Sequence, residues 1–242
     1  SGVPNAIRTA REVLEPMGKK LIGIRLDSGD LAYLSKEARK MLDEAGLSDC
    51  MIVASNSLDE YTISSLNRQG AKIDSYGVGE RLITSSSTPV FGAVYKLVAI
   101  QKDGKFIPKI KISETAEKIT NPGIKEVYRV YDENGKAVAD YLAVKGEQIR
   151  DLEPVRYVDP VNYWKNRSFV GCRFKKLQVP VFEKGKRIYD LPDIEEIRQY
   201  VKDQLENEIW EEEQRFENAH THYLDMSPAM FELKMSLLHE EN

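Results

Sequence analysis

Arg25, Asp27 and Asp30 fall within one short stretch, Gly23 to Leu31 (GIRLDSGDL), where an apolar run gives way to a helical pattern. A guanidinium there can fork onto a carboxylate or a phosphate. The carboxylates can accept from sugar hydroxyls or hold a hydrated magnesium ion. The plainer readings are an ion pair of Arg25 with Asp27 or Asp74, and capping of the following helix, which suits Asp30 better than Asp27. Ser55-Asn56 ends a second apolar run, and Gly77-Val78-Gly79 ends a third, with Thr84, Ser85, Ser86 and Ser87 soon after. Glycines after a strand let backbone amides approach a phosphate closely, or they serve a tight turn. Taken together, the three strand ends describe a site for a phosphorylated sugar. Lys109, Lys111, Lys118 and Lys125, interleaved with Ser113-Glu114 and Thr120-Asn121-Pro122-Gly123, either close on a polyphosphate or form a solvated hairpin. His220 and His222 have no Cys or His partners at metal-ligand spacing. No nucleophile elbow, Walker A loop or HExxH signature is present.

The elements that must position these residues follow from periodicity. Leu21–Leu26 reads as a short buried strand, and the apolar positions from Leu31 to Ala45 recur at helical spacing, with Gly46 closing the helix. Cys50–Ala54 is a second strand. The spacing predicts a helix from Leu58 to Gln69, opened by a capping box at Ser57-Leu58-Asp59-Glu60 and closed by Gly70. Ile73–Tyr76 begins a third strand. A strand end every twenty-odd residues is the period of βα units in a parallel sheet or barrel. Val3–Met17 reads as one more helix, the second half of a unit whose strand would precede residue 1. On this reading the chain is a fragment, because a closed eight-unit barrel needs about 250 residues by itself.

Three regions are expected: partial-barrel βα units over 1–88, an antiparallel β segment over 89–150, and a mainly helical region over 151–242. In the second, Val90–Ile100 pairs with Phe106–Ile112 across Lys102-Asp103-Gly104-Lys105, and Val127–Tyr131 pairs with Ala137–Val144 across Asp132–Gly135. In the third, Pro192-Asp193 opens a helix, and Ser227-Pro228 opens another as N-cap and first turn. The acidic run Glu206–Glu217 reads as a solvated helix face.

The chain has 242 residues, 41% hydrophobic and 31% charged, with a net charge of −4. Its pI is about 5.6. Bulk charge therefore gives no nucleic-acid or membrane surface, and no apolar run of about 18 residues exists. Two cysteines far apart in sequence, Cys50 and Cys172, read as reduced buried thiols of a cytoplasmic protein.

Five stretches also carry a resemblance: GIRLDSGDLAYLSKEARKMLDEAGL, IVASNSLDE, GAKIDSYGVGERLITS, VYKLVA and KISETAEKITNPGIKEVYRVYDENGKAVADYL. They resemble nicotinate phosphoribosyltransferase, densely to about residue 150 and more weakly through DLEPVRYVDPVNYW to the end. The resemblance implies the C-terminal half of an enzyme about twice as long. It implies a type II phosphoribosyltransferase fold, an irregular α/β barrel with appended domains, working as a homodimer with an N-terminal half. The implied reaction joins nicotinate and phosphoribosyl pyrophosphate into nicotinate mononucleotide and pyrophosphate, with ATP hydrolysis coupled and Mg2+ required. By position, Arg25 and Asp27 would lie beside the nicotinate ring and the ribose, and Ser55 and Asn56 near the ribose and its 5′-phosphate. Gly77 and Gly79 would bind that phosphate through backbone, and Lys111, Lys118 and Lys125 would lie close to the phosphates. Asp27 is the expected catalytic group, stabilising a cationic sugar as pyrophosphate departs. The family often has Asp where Ser57 stands and Gly where Ala93 stands. The histidine that the family phosphorylates would precede residue 1, so the isolated chain is expected to be nearly inactive. A nicotinamide or quinolinate enzyme of the same fold, or a non-catalytic phosphate-binding or assembly module, are the alternatives.

Overall fold

The computed structural model describes residues 2–90, 92–115 and 118–240. They divide into two compact units, 1–93 and 94–242.

The first unit opens with α1 (Gly2–Thr9), which runs into a π-helical turn at Ala10–Leu14 and a 3-10 turn at Glu15–Met17. Then follow β1 (Gly23–Leu26), α2 (Leu31–Glu44), β2 (Met51–Ser55), α3 (Glu60–Arg68), β3 (Ser75–Gly77) and the short α4 (Glu80–Ile83). The three strands form an open parallel sheet in the order β1-β2-β3, with Leu26 opposite Ala54 and Ser55 opposite Gly77. The predicted βα period is thus present. Ile52 and Ala54 alternate with more exposed neighbours along β2 and are fully buried beneath Leu31, Ala38 and Leu42 of α2 and Leu58 and Leu66. Both helices stop at glycines in the left-handed region, Gly46 at φ +76° and Gly70 at φ +69°, where a side chain would be strained.

The predicted capping box does not form. Ser57 has φ +47°, and Asp59 caps α3 instead, accepting the Thr62 amide at 2.7 Å. A left-handed residue cannot hold the extended backbone that an N-cap requires, so the cap moves two places on.

In the second unit, β4 (Ala99–Lys102) and β5 (Lys105–Pro108) form a hairpin turned by Asp103 and Gly104. It is shorter than predicted: Val94 and Tyr95, expected in its first strand, are 81% and 93% exposed outside it. Then come β6 (Lys125–Tyr131), β7 (Ala137–Val144), β8 (Val155–Val158), β9 (Asn166–Phe169), β10 (Arg173–Lys176), β11 (Phe182–Glu183) and β12 (Lys186–Arg187). After them lie α5 (Ile194–Asp203), β13 (Leu224–Met226) and α6 (Pro228–Glu240). The predicted hairpin of β6 and β7 is present within a six-stranded sheet, ordered β10-β6-β7-β13-β8-β9.

The region 151–242 was expected to be mainly helical, yet β8 to β12 occupy 155–187. Val155, Tyr157 and Phe169 are β-formers whose alternate positions pack on the sheet core, and that burial sets the structure. The acidic run is also not a continuous solvated helix face. Glu208 accepts the Tyr131 hydroxyl at 2.5 Å, and Glu213 lies 3.0 Å from His222 Nδ1. The two helix starts are where the sequence puts them. Asp193 and Glu196 form a reciprocal capping box, and Ser227 Oγ accepts the Met230 amide at 3.0 Å.

Candidate functional site

The carboxyl ends of β1 and β2 bring three of the expected residues together. Ser55 Oγ donates to Asp27 Oδ1 at 2.6 Å, and an Arg25 guanidinium nitrogen lies 3.5 Å from Asp27 Oδ2. The parallel register makes this contact: β1 and β2 end side by side, so Asp27, just past β1, meets Ser55, the last residue of β2. The Asp27 side chain remains 55% exposed and that of Arg25 67%, so the pair faces water rather than the core. Asn56 and Ser57 follow at φ +101° and φ +47°. Two consecutive non-glycine residues in this region cost stability, of order 1–3 kcal/mol each where the surroundings impose it, and such strain clusters at functional sites.

On the other side of β2, Ser55 is paired with Gly77. A Cβ on Gly77 would lie 3.4 Å from that of Ser55, whereas nothing lies within 4 Å of one built on Gly79. The loop is therefore snug at its first glycine and open at its second. Sequence reasoning missed the group that anchors this loop: Arg81 on α4 is ion-paired with Asp59, the cap of α3. The Asp59 carboxyl is held below the usual range, chiefly by hydrogen bonds from Thr62. An Asp that caps one helix and an Arg twenty-two residues on have no shared sequence pattern that would announce the pair.

Other acids near these strand ends are structural. Asp30 caps α2 through the Tyr33 amide at 3.0 Å, and Asp74 accepts the Ile52 amide at 2.8 Å, so Asp74 is not the partner of Arg25.

The expected lysines lie in the second unit. Lys111 and Lys118 are exposed on the loop after β5, where Thr120 Oγ1 accepts the Lys111 amide at 2.9 Å. The charge of Lys111 pushes the Lys96 ammonium below its usual pKa, so these two cations sit together. Lys96 was not anticipated, since a lone lysine in VYKLVA carries no signal of its own. Lys125 differs from the others: it is partly buried and donates to the carbonyls of Asn121 and Gly123 at 2.6 and 2.7 Å. Burial pushes its pKa down. The Asn121-Pro122-Gly123 turn is thus pinned from inside. Both cysteines are free and buried. Among the described residues, no three His, Cys, Asp or Glu side chains converge as a metal cage, and no helix is long and apolar enough to cross a membrane.

A parallel βα unit with its polar residues at the strand ends, followed along the chain by a unit built on a mixed sheet, defines a class. The fold matches that of a crystal structure of human nicotinic acid phosphoribosyltransferase, with a TM-score of 0.69 and 24% identity over 90% of this chain and 40% of that one. It is a mixed α/β fold of the phosphoribosyltransferase kind.

The sequence narrows this. The profile of the nicotinate phosphoribosyltransferase C-terminal domain matches residues 124–234. Nicotinate phosphoribosyltransferase of Bacillus subtilis is 47% identical over 99% of this chain and 49% of its own length, and that of Dictyostelium discoideum 37% over 96% and 41%. Along nearly its whole length the chain is similar to nicotinate phosphoribosyltransferases, and it spans about half the length of these relatives.

Proposed function

We propose that this chain takes part in joining nicotinate to phosphoribosyl pyrophosphate, giving nicotinate mononucleotide and pyrophosphate, a step of NAD biosynthesis coupled to ATP hydrolysis. The observation that carries this reading is the Ser55–Asp27 contact at 2.6 Å, where two parallel strands end. A hydroxyl that donates to one carboxylate oxygen orients the other, and an exposed, oriented anion suits a ribosyl centre that gains positive charge as its C1–O bond to pyrophosphate breaks. The nicotinate nitrogen then forms the new bond at C1, and the bonding electrons of the old one leave with pyrophosphate.

Arg25 balances Asp27 and can donate to the nicotinate carboxylate. The open space at Gly79 leaves room for the 5′-phosphate against backbone. Lys96 and Lys111, held together as like charges, gain from an anion placed between them, which favours a polyphosphate. Lys118 is an exposed cation on the same loop. Lys125 contributes by holding the turn. Magnesium enters with the diphosphate as part of the substrate; the described residues do not make a cage for it, and no step here depends on one. In this reading the working enzyme is a cytoplasmic homodimer that includes sequence equivalent to the other half of the relatives.

The test is nicotinate mononucleotide formation by the protein with its natural flanking sequence, given nicotinate, phosphoribosyl pyrophosphate, ATP and magnesium. Product from nicotinate, with little from nicotinamide or quinolinate, is expected. Turnover of either alternative in preference to nicotinate would overturn the assignment.

A further inference from the structure

Asp225 lies in the middle of the six-stranded sheet and is only 8% exposed. Among the described residues, no amide or side chain donates to its carboxylate. Asp159, close by, shows what a satisfied carboxylate looks like: it accepts the amides of Val161 and Asn162 at 2.9 and 2.8 Å and the Asn162 side-chain amide at 3.1 Å. Leaving a buried acid without donors is costly, so its retention asks for an explanation.

The strand registers show what surrounds it. Tyr157 pairs with Arg167 across β8 and β9, which sets both on one face of the sheet, and Phe169, two residues on, shares that face. Met226 pairs with Val158 across β13 and β8, so Asp225 lies on the same face as Tyr157 and Asp159. These residues, with Lys165 and Tyr223, line a cavity of about 390 Å³ within the second unit. Tyr157 and Phe169 stack there at 4.3 Å between ring centroids. Phe169 is buried, while Lys165 and Arg167 are exposed. The cavity thus combines an aromatic wall, a largely buried acid that takes no protein donor among the described residues, and two cations.

We propose that this face of the second unit is a binding site for a compact aromatic zwitterion, its ammonium or N–H donor on Asp225 and its anionic group on Arg167 and Lys165. The volume is in the range of small-molecule sites, and the charged lining suits a ligand that carries charges of both signs. Burial and the neighbouring Asp159 push the Asp225 carboxyl up to about 6, so near neutral pH it is an anion that a cationic group would relieve. Burial raises the pKa of the Tyr157 hydroxyl while Arg167 opposes that shift, which places a positive charge at the same cluster. The site lies in a different unit from Asp27 and does not depend on the phosphoribosyl reading.

The probe is 3-(aminomethyl)benzoate, with benzylamine and benzoate as single-charge controls, titrated calorimetrically into the protein with its natural flanking sequence. The zwitterion is expected to bind more tightly than either control. Asp225→Asn should weaken the zwitterion and benzylamine about tenfold and leave benzoate unchanged, the loss expected for one charge-assisted hydrogen bond. Arg167→Gln should weaken the zwitterion and benzoate and spare benzylamine. Asp27→Asn should change none of the three affinities, which separates this site from the nicotinate site. Thermal melts confirm that each variant is folded. The proposal is overturned by an absence of saturable zwitterion binding up to the probe's solubility, by affinities that folded Asp225→Asn and Arg167→Gln leave unchanged, or by loss of binding in Asp27→Asn.

Discussion

Replacing Asp27 by Asn removes one negative charge and almost nothing else. The amide oxygen can still accept from Ser55 Oγ, now 2.6 Å from the carboxylate, and the side chain is 55% exposed. The ion pair with Arg25 at 3.5 Å is solvated, and exposed pairs are worth about 0–1 kcal/mol. For a chain of this size that bounds the fall in Tm at about 2–4 °C. If the charge meets a cationic sugar in the transition state, turnover should fall on the order of 10²-fold, or about 2.7 kcal/mol. The disproportion between a nearly intact fold and a large kinetic loss is the signature. Ser55→Ala leaves the charge but frees its oxygen, so it should cost roughly tenfold through orientation. The double variant should be no slower than Asp27→Asn, because both act through one group. The assay is steady-state formation of nicotinate mononucleotide by the protein with its natural flanking sequence. Turnover of Asp27→Asn within about threefold of the parent, a barrier change under about 1 kcal/mol, would refute the argument, as would strictly additive losses.

Gly79→Val should weaken phosphoribosyl pyrophosphate binding at least about tenfold, because a Cβ there has open space around it and the side chain would fill the room where an anion must approach backbone; calorimetry on a variant that a melt shows to be folded decides. Lys125→Gln should lower Tm by about 4–8 °C, since about 2 kcal/mol is lost when the half-buried ammonium no longer holds the Asn121 and Gly123 carbonyls; an unchanged melt would show that the turn holds itself. Asp225 has its folded carboxyl raised to about 6 from 3.8, so its stabilisation is full below about pH 4 and is lost as pH rises through 6. At about 1.4 kcal/mol per unit of pKa, the charged form costs the fold up to about 3 kcal/mol above pH 6. Asp225→Asn should therefore raise Tm at pH 8 and leave it nearly unchanged at pH 4, and a Tm gain that is equal at both would count against a buried charge.

What the sequence disclosed is what local chemistry decides. The period of strand ends, the stops at Gly46 and Gly70, and the start of α6 at Ser227-Pro228 each depend on a few adjacent residues, and each is present. The meeting of Arg25, Asp27 and Ser55 was legible for the same reason, since parallel strands of equal period end side by side. Ser57 and Asp59 show the limit. Both are good caps two places apart, and the left-handed turn at Asn56-Ser57, a tertiary constraint, selects the second. β13 is harder still: three residues have no period to detect, yet Leu224–Met226 is the strand that joins β7 to β8. It runs parallel to β7 and antiparallel to β8, an insertion that depends on a chain eighty residues downstream returning to the sheet. With β13 unseen, the cavity around Asp225 could not be anticipated, because its acid reads in sequence as one more charge in an acidic tail. His222 was equally hidden. The sequence showed only that it lacks Cys or His partners at metal-ligand spacing, yet it sits with Nδ1 3.0 Å from Glu213 and Nε2 3.5 Å from Asp140, which Arg129 also holds.

Asp27 differs from the acids around it. Asp30 and Asp59 spend an oxygen on a helix N-terminus, and Asp74 spends one on the Ile52 amide. Removing any of these would leave a backbone donor unpaired, so their types follow from the fold alone. Asp27 accepts no backbone amide among the described residues; its partners are the side chains of Ser55 and Arg25. A residue whose removal strands no backbone group is not required by the sheet that carries it. Its hydroxyl partner stands at the foot of the strained Asn56-Ser57 turn, so the fold bears a cost in backbone to shape the ground beside this carboxylate. An acid that the fold does not need, oriented by a hydroxyl and set where parallel strands open to solvent, has its explanation in what binds there.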